Sequence, residues 1–256
     1  MKTLFLFLLI LAGQTTDSFS QSLDSVPLGC VTYIQKTDAP GDQSKNGICT
    51  LLFNSSCSVY IHNQAPRRDS SFASPEYISA NVPGDEEGFP IYKMHLQRKI
   101  LLKVSCRRIF HDNCILTDTF GTIQWTLHPE EHRRFGQYDC RKASGNFRGR
   151  SYEAWYAPDI PVPSGPFKLG GLPGLILEAR STDGKVQFLF SRLQMAGQLE
   201  GVIRPPHGLE THQRFADFIA EDDKFSEQVI KNFKAQYGRE LTITRQETIE
   251  LNANDR

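Results

Sequence analysis

The chain has 256 residues, with 29 basic and 29 acidic side chains and a formal net charge of zero. That balance gives no global electrostatic pull toward nucleic acid or an anionic membrane surface. Seventeen Phe and eight Tyr favour strands and a well-filled core.

Residues 1–20 read as an export signal. Lys2 is the positive n-region, and Leu4 to Leu11 form an apolar stretch too short to cross a bilayer. Ser18-Phe19-Ser20 puts small residues at the −3 and −1 positions, which places cleavage before Gln21. No Cys follows at once, so a lipidated N-terminus is not expected. No later apolar run is long enough for a transmembrane helix, so the chain is not expected to be an integral membrane protein. Residues 21–256 are expected to form a single β-rich domain, exported to the periplasm or the extracellular medium.

Short strands follow one another from there. Val31 to Gln35 is a strand, and Asp38 to Gly47 a polar loop. Cys49 to Asn54 and Cys57 to Ile61 are two strands with a turn at Asn54-Ser55-Ser56. Residues 62–90, rich in Pro, Ser, Asp and Arg, read as a long surface excursion. Ile91 to Ile109 carries further strands, with a turn near Gln97-Arg98. Cys114 to Thr119 and Ile123 to Leu127 continue the sheet, broken at Gly121. Phe135 to Lys142 and Phe147 to Tyr156 add two more. Pro158 to Pro166 then holds four prolines in nine residues, a rigid extended arm that cannot sit inside a sheet.

The arm leads into Gly170-Gly171-Leu172-Pro173-Gly174-Leu175-Ile176. Pro173 and Gly174 predict a type II turn with Gly174 at φ > 0. Leu175 to Arg180 and Lys185 to Ser191 predict a hairpin with Asp183-Gly184 at its tip. In that register Ala179 faces Phe188, Leu177 faces Phe190, Arg180 faces Gln187 and Glu178 faces Leu189, which leaves one face apolar. Helical spacing follows, from Thr211 to Ala220 with Phe215, Phe218 and Ile219, and from Asp223 to Tyr237 with Phe225, Val229, Ile230 and Phe233. Thr211 and Asp223 are candidate N-caps and Gly238 a candidate C′ residue. Leu241 to Thr244 and Ile249 to Leu251 suggest a last strand. The fold expected is mainly β (α+β): a large curved antiparallel sheet or open barrel, with one or two C-terminal helices over part of one face.

All six cysteines, Cys30, Cys49, Cys57, Cys106, Cys114 and Cys140, follow the signal. In an oxidising compartment they suggest disulfides, with Cys49/Cys57 and Cys106/Cys114 as the local pairs, or else buried thiols. Neither pair has the two-to-four-residue spacing of a zinc knuckle.

His128-Pro129-Glu130-Glu131-His132 has the H-x-x-E-H order of inverted zinc peptidases, whose chemistry needs both His on one helix face binding zinc and a Glu as general base. Pro129 and the strand-like flanks read instead as a polar turn. Arg133, Arg134, Arg141, Lys142, Arg148 and Arg150 form a basic stretch, which is either an anion or lipid-headgroup site of Arg forks or a set of solvated faces paired with Glu130, Glu131, Asp139 and Glu153. Trp155 and Tyr156, beside the arm, either line a ligand groove or anchor the arm to the core. Cys140 has only Lys142 nearby to activate it as a nucleophile. No G-x-S-x-G, P-loop or dinucleotide glycine fingerprint is present, so no cofactor is expected.

Gly171-Leu172-Pro173-Gly174-Leu175-Ile176 carries a resemblance. The chain resembles the GLPGLI family, exported proteins found mainly in Bacteroidota bacteria. The likeness extends through Tyr138 to Ala143, Phe147 to Arg150, Ala154-Trp155-Tyr156, Ile160-Pro161 and Gly165-Pro166, with Asp118 and Ile123-Gln124-Trp125 upstream. The resemblance implies an exported β-rich protein and brings no activity, cofactor or catalytic residue with it.

The function expected from these readings is that of an exported, non-catalytic cell-envelope protein. It would bind an apolar or amphiphilic ligand, or an envelope protein partner, with Trp155, Tyr156, Arg148 and Arg150 as the binding residues. The alternatives are a metal-dependent hydrolase using His128, Glu131 and His132, and a purely structural accessory protein.

Overall fold

The computed structural model describes residues 28–37, 47–62, 90–105, 113–195, 203–206 and 212–240. The export signal, most of the 62–90 excursion, Cys106, Thr211 and the strand expected after Gly238 lie outside the described residues.

Twelve strands are described. They are β1 (Gly29–Thr37), β2 (Gly47–Phe53), β3 (Cys57–His62), β4 (Ile91–Met94), β5 (Lys99–Ser105), β6 (Asn113–Thr119), β7 (Trp125–Phe135), β8 (Tyr138–Phe147), β9 (Arg150–Ala157), β10 (Leu175–Ser181), β11 (Val186–Met195) and β12 (His212–Arg214). They form one open sheet in the order β12-β6-β5-β4-β3-β2-β1-β11-β10-β9-β8-β7. All neighbours are antiparallel except β12 and β6. Strands β1 to β6 follow one another in space, as do β7 to β11. The two runs meet where β1 pairs with β11.

Local chemistry sets the turns. Asn54 turns the chain between β2 and β3, its Oδ1 accepting the backbone N–H groups of Ser56 and Cys57, both at 2.9 Å. Between β8 and β9, Arg148 and Gly149 both have positive φ, 47° and 84°, as a two-residue hairpin turn that follows strand twist requires.

The larger core lies on the face that carries Val31, Tyr33, Leu51, Tyr60, Leu116, Ala154, Ala179 and Phe188. The Pro-rich arm lies over this face and buries Ile160, Val162, Leu169 and Leu172 against it. A second cluster, with Cys30, Leu52, Val59, Tyr92, Leu101 and Ile115, occupies the other face under Ile203.

The hairpin register holds for Ala179/Phe188 and Arg180/Gln187. Leu177, expected opposite Phe190, sits at a bulge against β9, where Ile176 and Glu178 oppose Tyr156 and Trp155. At the tip, Gly184 has φ 74° and donates its N–H to the carbonyl of Ser181 (3.0 Å).

Four expectations are corrected. Gly174 is not in the left-handed region; Gly171 is, at φ 89°. What Gly174 provides is room, because a Cβ there would collide with the Ala157 carbonyl and lie 2.9 Å from Pro158 Cα. The 128–132 segment is not a turn but part of β7, bulged so that His128 opposes Lys142 and His132 opposes Arg141. The two expected helices are one, α1 (Phe215–Tyr237), which runs through Asp223 because no Gly or Pro interrupts it. It ends as expected at Gly238, in the left-handed conformation with its N–H on the Lys234 carbonyl. Cys49 and Cys57 stand at opposite ends of the β2–β3 pair, opposite His62 and Met94, and both are buried thiols, as are Cys30 and Cys140.

No helix among the described residues is long and apolar enough to cross a membrane. Helix α1 packs Phe215 and Phe218 against the core, and none of its residues is fully buried.

Candidate functional site

The arm is held by buried polar groups that reach it from the sheet. Lys93 of β4 has no exposed surface, and its amine donates to the carbonyl oxygens of Gly165 and Leu169, the latter at 3.3 Å. Burial pushes the Lys93 amine well below its ordinary value. Tyr33 donates to the Ile176 carbonyl (2.6 Å), and Trp125 Nε1 to that of Gly170 (2.9 Å). The Lys93 and Trp125 bonds satisfy carbonyls of residues 165–170, and the Tyr33 bond that of Ile176 in β10.

Next to Lys93 lies a chain of hydroxyls. Ser164 Oγ of the arm is 2.7 Å from Ser58 Oγ, and Ser58 Oγ is 3.1 Å from His95 Nε2. His95 Nδ1 is 3.1 Å from the Ser55 carbonyl oxygen, and its ring stacks on Phe120 at 5.6 Å. Burial, with Lys93 adding to it, pushes His95 down to about 4. The order hydroxyl, imidazole, carbonyl is that of a nucleophile with its base and orienting group. Ser58 and Ser164 are fully buried, so with the arm seated no substrate reaches them.

A third tie joins the arm to the helix. Asp118 of β6 accepts Arg148 Nη2 at 2.6 Å and faces Lys168 Nζ of the arm at 2.8 Å. Burial alone would raise the Asp118 carboxyl, but Lys168 and Arg148 outweigh it and hold the group below its ordinary value. The Phe215 ring covers both cations, with Lys168 Nζ 3.6 Å and the Arg148 guanidinium 5.0 Å from its centre.

The four residues expected to bind a ligand do not come together. Arg148 belongs to the Asp118 group. Arg150 is buried and paired with Asp183 at the β10–β11 tip. Trp155 and Tyr156 are successive residues of β9 and point to opposite faces, with Tyr156 buried in the larger core.

Trp155 instead joins residues that the sequence did not single out as its partners. The β7–β8 tip leans over the sheet, so that Phe135 meets Phe190 of β11 at 5.5 Å between ring centres. A flat sheet would hold those two strands about 19 Å apart. The lean carries Arg133 onto Glu178 of β10 (2.8 Å), with its guanidinium 4.7 Å from the Phe135 ring centre and 5.9 Å from that of Trp155. Arg180 Nε and Nη2 bind the same Glu178 oxygen, each at 3.0 Å. The Glu178 side chain is 4% exposed, while those of Arg133 and Arg180 are 45% and 48% exposed. A buried carboxylate thus orients two half-exposed guanidiniums beside a half-buried indole. On the neighbouring strand Lys142 bridges Glu131 (3.1 Å) and Glu153 (2.9 Å).

The side chains of the 128–132 segment diverge. His128 Nε2 meets Ser144 Oγ at 2.8 Å, Glu131 meets Lys142, and His132 Nδ1 meets Asp139 at 3.1 Å. Their ladder partners, Lys142 and Arg141, are adjacent on β8, so the two imidazoles leave opposite faces of the sheet. No group of three or more metal-ligating side chains occurs among the described residues.

A family model described as a protein of unknown function (Porph_ging) matches residues 148–178, from the β8–β9 turn through the arm to Glu178. A search of curated proteins finds no match. Among solved structures, PNGF-II resembles the fold in two crystal forms. One has 13% identity and a TM-score of 0.50, covering 79% of this chain and 34% of that one. The other has 13% identity and a TM-score of 0.49, covering 77% and 33%. The chain spans about a third of the length of PNGF-II, and at this identity the likeness is one of fold alone.

Proposed function

We propose that the protein is an exported, non-catalytic binding protein of the cell envelope, of the GLPGLI type, and that it takes an amphiphile with an anionic head at the Trp155 shelf. The observation that carries this reading is the pairing of Arg133 and Arg180 on buried Glu178 beside the Trp155 ring. An indole offers a flat apolar surface, and a guanidinium offers paired donors matched to a carboxylate or phosphate. Glu178 neutralises one of the two Arg charges and fixes both forks in place, which lowers the ordering cost of binding.

The test uses the Trp125→Phe variant, in which Trp155 is the sole tryptophan, because the chain has two. Dodecyl phosphate, below its micelle concentration, is expected to shift Trp155 emission saturably, and Arg180→Gln to weaken that binding about tenfold or more. Inorganic phosphate alone is expected to bind far more weakly. Equal binding of dodecyl maltoside would remove the anionic head from the reading, and no saturable shift with any of the three would remove the site.

A further inference from the structure

We propose that Leu189, Ile34 and Ile48, in register across β11, β1 and β2, are the track for the amphiphile's tail, and that the track takes one unbranched alkyl chain of about twelve carbons. The inference rests on the Trp155 shelf proposed above and extends it.

Strand alternation sets the row. Tyr33 and Phe188 point into the larger core, so Ile34 and Leu189 point to the other face of the sheet. Ile34 stands directly opposite Leu189 on one side and Ile48 on the other. On β10, Ala179 faces Phe188 in the core, so its neighbours Glu178 and Arg180 share the face of Leu189. Trp155 lies opposite Glu178 on the next strand. The Arg133–Glu178–Arg180 group therefore stands one strand from Leu189, and the apolar row leads away from it.

The row is open where the rest of its face is closed. Four residues earlier on β1, Cys30 is buried with Leu52 under Ile203. Ile34 and Ile48 are 42% and 39% exposed, and Leu189 is partly exposed. One exposed Ile is ordinary, but three apolar side chains in register beside a charged pair make a patch continuous with a head site. Its borders are polar. Lys36 pairs with Gln187 on one side of the row, and Thr32 with Arg192 on the other. The strip is thus one side chain wide, which suits a single extended chain and not a branched or fused-ring tail.

The length follows from the strand count. From Glu178 on β10 to Ile48 on β2 the row crosses three strand spacings, about 14 Å. An extended chain advances about 1.2 Å per bond, so about twelve carbons span it. Strand β3 ends at His62, opposite Cys49, so among the described residues no strand continues the row beyond Ile48.

The test follows Trp155 emission in the Trp125→Phe variant with hexyl, octyl, decyl, dodecyl and tetradecyl phosphate, each below its micelle concentration. Affinity is expected to rise about twofold per carbon up to dodecyl, as for a chain with one side on protein and the other in water, and to level off at tetradecyl. Ile34→Gln is expected to weaken dodecyl phosphate about tenfold and to leave hexyl phosphate, whose chain stops short of Ile34, within about twofold. The branched isomer 2-butyloctyl phosphate is expected to bind well below dodecyl phosphate. A saturable, Arg180-dependent shift of equal strength along the series, or dodecyl binding unchanged by Ile34→Gln, overturns the track and leaves the head site standing. Chain-length dependence with no effect of Arg180→Gln removes the anionic head and keeps the track. A tetradecyl gain as large as the earlier steps, or equal binding of the branched isomer, overturns the fit to one chain of this length. No saturable shift with any member removes head site and track together. Should Ile34→Gln fail to fold by far-UV circular dichroism, Ile48→Gln takes its place with the same outcomes.

Discussion

Trp125 of the edge strand β7 donates its indole N–H to the carbonyl oxygen of Gly170, 2.9 Å away. The bond ties the edge strand to the glycine-rich turn, which lies within the residues 148–178 that the family model matches. Trp125→Phe keeps an aromatic ring and removes the donor. A loss of about 1–2 kcal/mol is expected, from one bond and the carbonyl left unpaired. Urea unfolding checks it, and a change within error would show that water replaces the indole.

Gly174 and Gly184 separate two reasons for a glycine. A Cβ at Gly174 meets the Ala157 backbone, whereas at Gly184 it meets open space but a φ of 74°. Gly174→Ala is expected to cost about 2–4 kcal/mol through backbone displacement, and Gly184→Ala about 1 kcal/mol through the left-handed conformation alone. The reverse order in denaturant midpoints would refute the assignment of close approach to Gly174.

Asp118 faces both Arg148 and Lys168, each nearly buried, and offsets one of their two charges. Asp118→Asn removes the carboxylate that both nearly buried cations face and is expected to destabilise by about 3–5 kcal/mol. Because its folded value lies below the unfolded one, the wild-type contribution is complete above the ordinary carboxylate range and is lost as pH falls through the folded value. Wild type and variant should therefore converge in stability on acidification, and a constant gap would count against the ion-pair account.

Lys93 makes a prediction on the alkaline side. Its folded value lies well below the 10.5 of an ordinary lysine, so between the two the unfolded chain holds a proton that the folded chain does not. Stability from this group accordingly rises with pH up to about 10.5. Tyr33 and Tyr60, pushed well above 10.0 chiefly by burial, act in the opposite sense above pH 10. The raised thiols of Cys30, Cys49 and Cys140 oppose the rise from about pH 9. Because both proteins share them, the Lys93 contribution is read as the difference between wild type and Lys93→Met from pH 8 to 9.5, where wild type should gain. Parallel curves would mean that the buried amine keeps its proton.

Burial pushes the Cys30 thiol up to about 11 and the Cys49 and Cys140 thiols up to about 12. A thiol that is neither exposed nor ionised reacts slowly. In the native protein these three are expected to resist a disulfide reagent that labels them at once in guanidinium. A peptide map that joins Cys49 to Cys57 would contradict the arrangement of β2 and β3.

Hairpins were legible in the sequence where polarity alternated. Ala179 and Phe188 could be paired because a one-residue slip would have turned Phe188 outward. At Gly174 the sequence does not separate two roles, because Pro-Gly serves a type II turn and a close approach equally well. In the 128–132 segment Pro129 and two glutamates have the composition of a turn, yet an edge strand accommodates them as a bulge. The site was less legible still. Lys93 lies in a four-residue strand, and one of the carbonyls it serves is 72 residues away. Glu178 and Arg133, 45 residues apart, meet only because the β7–β8 tip leans over. Neither periodicity nor spacing encodes that lean.

The pairing of β1 with β11 has a kinetic consequence. Tyr33 and Phe190 are partners across 157 residues (190 − 33), whereas β2 with β3 and β8 with β9 join neighbours in sequence. Long loops close late, because their entropy is lost before distant contacts reward it. We therefore predict that the two runs of strands order first and that the seam between them forms last. Until then β1 exposes an apolar edge able to recruit another chain, and aggregation during refolding should be suppressed by an added peptide of sequence 186–195. Pulse-labelled amide exchange would refute this order if the amides of β1 that face β11 gained protection together with those of β8 and β9.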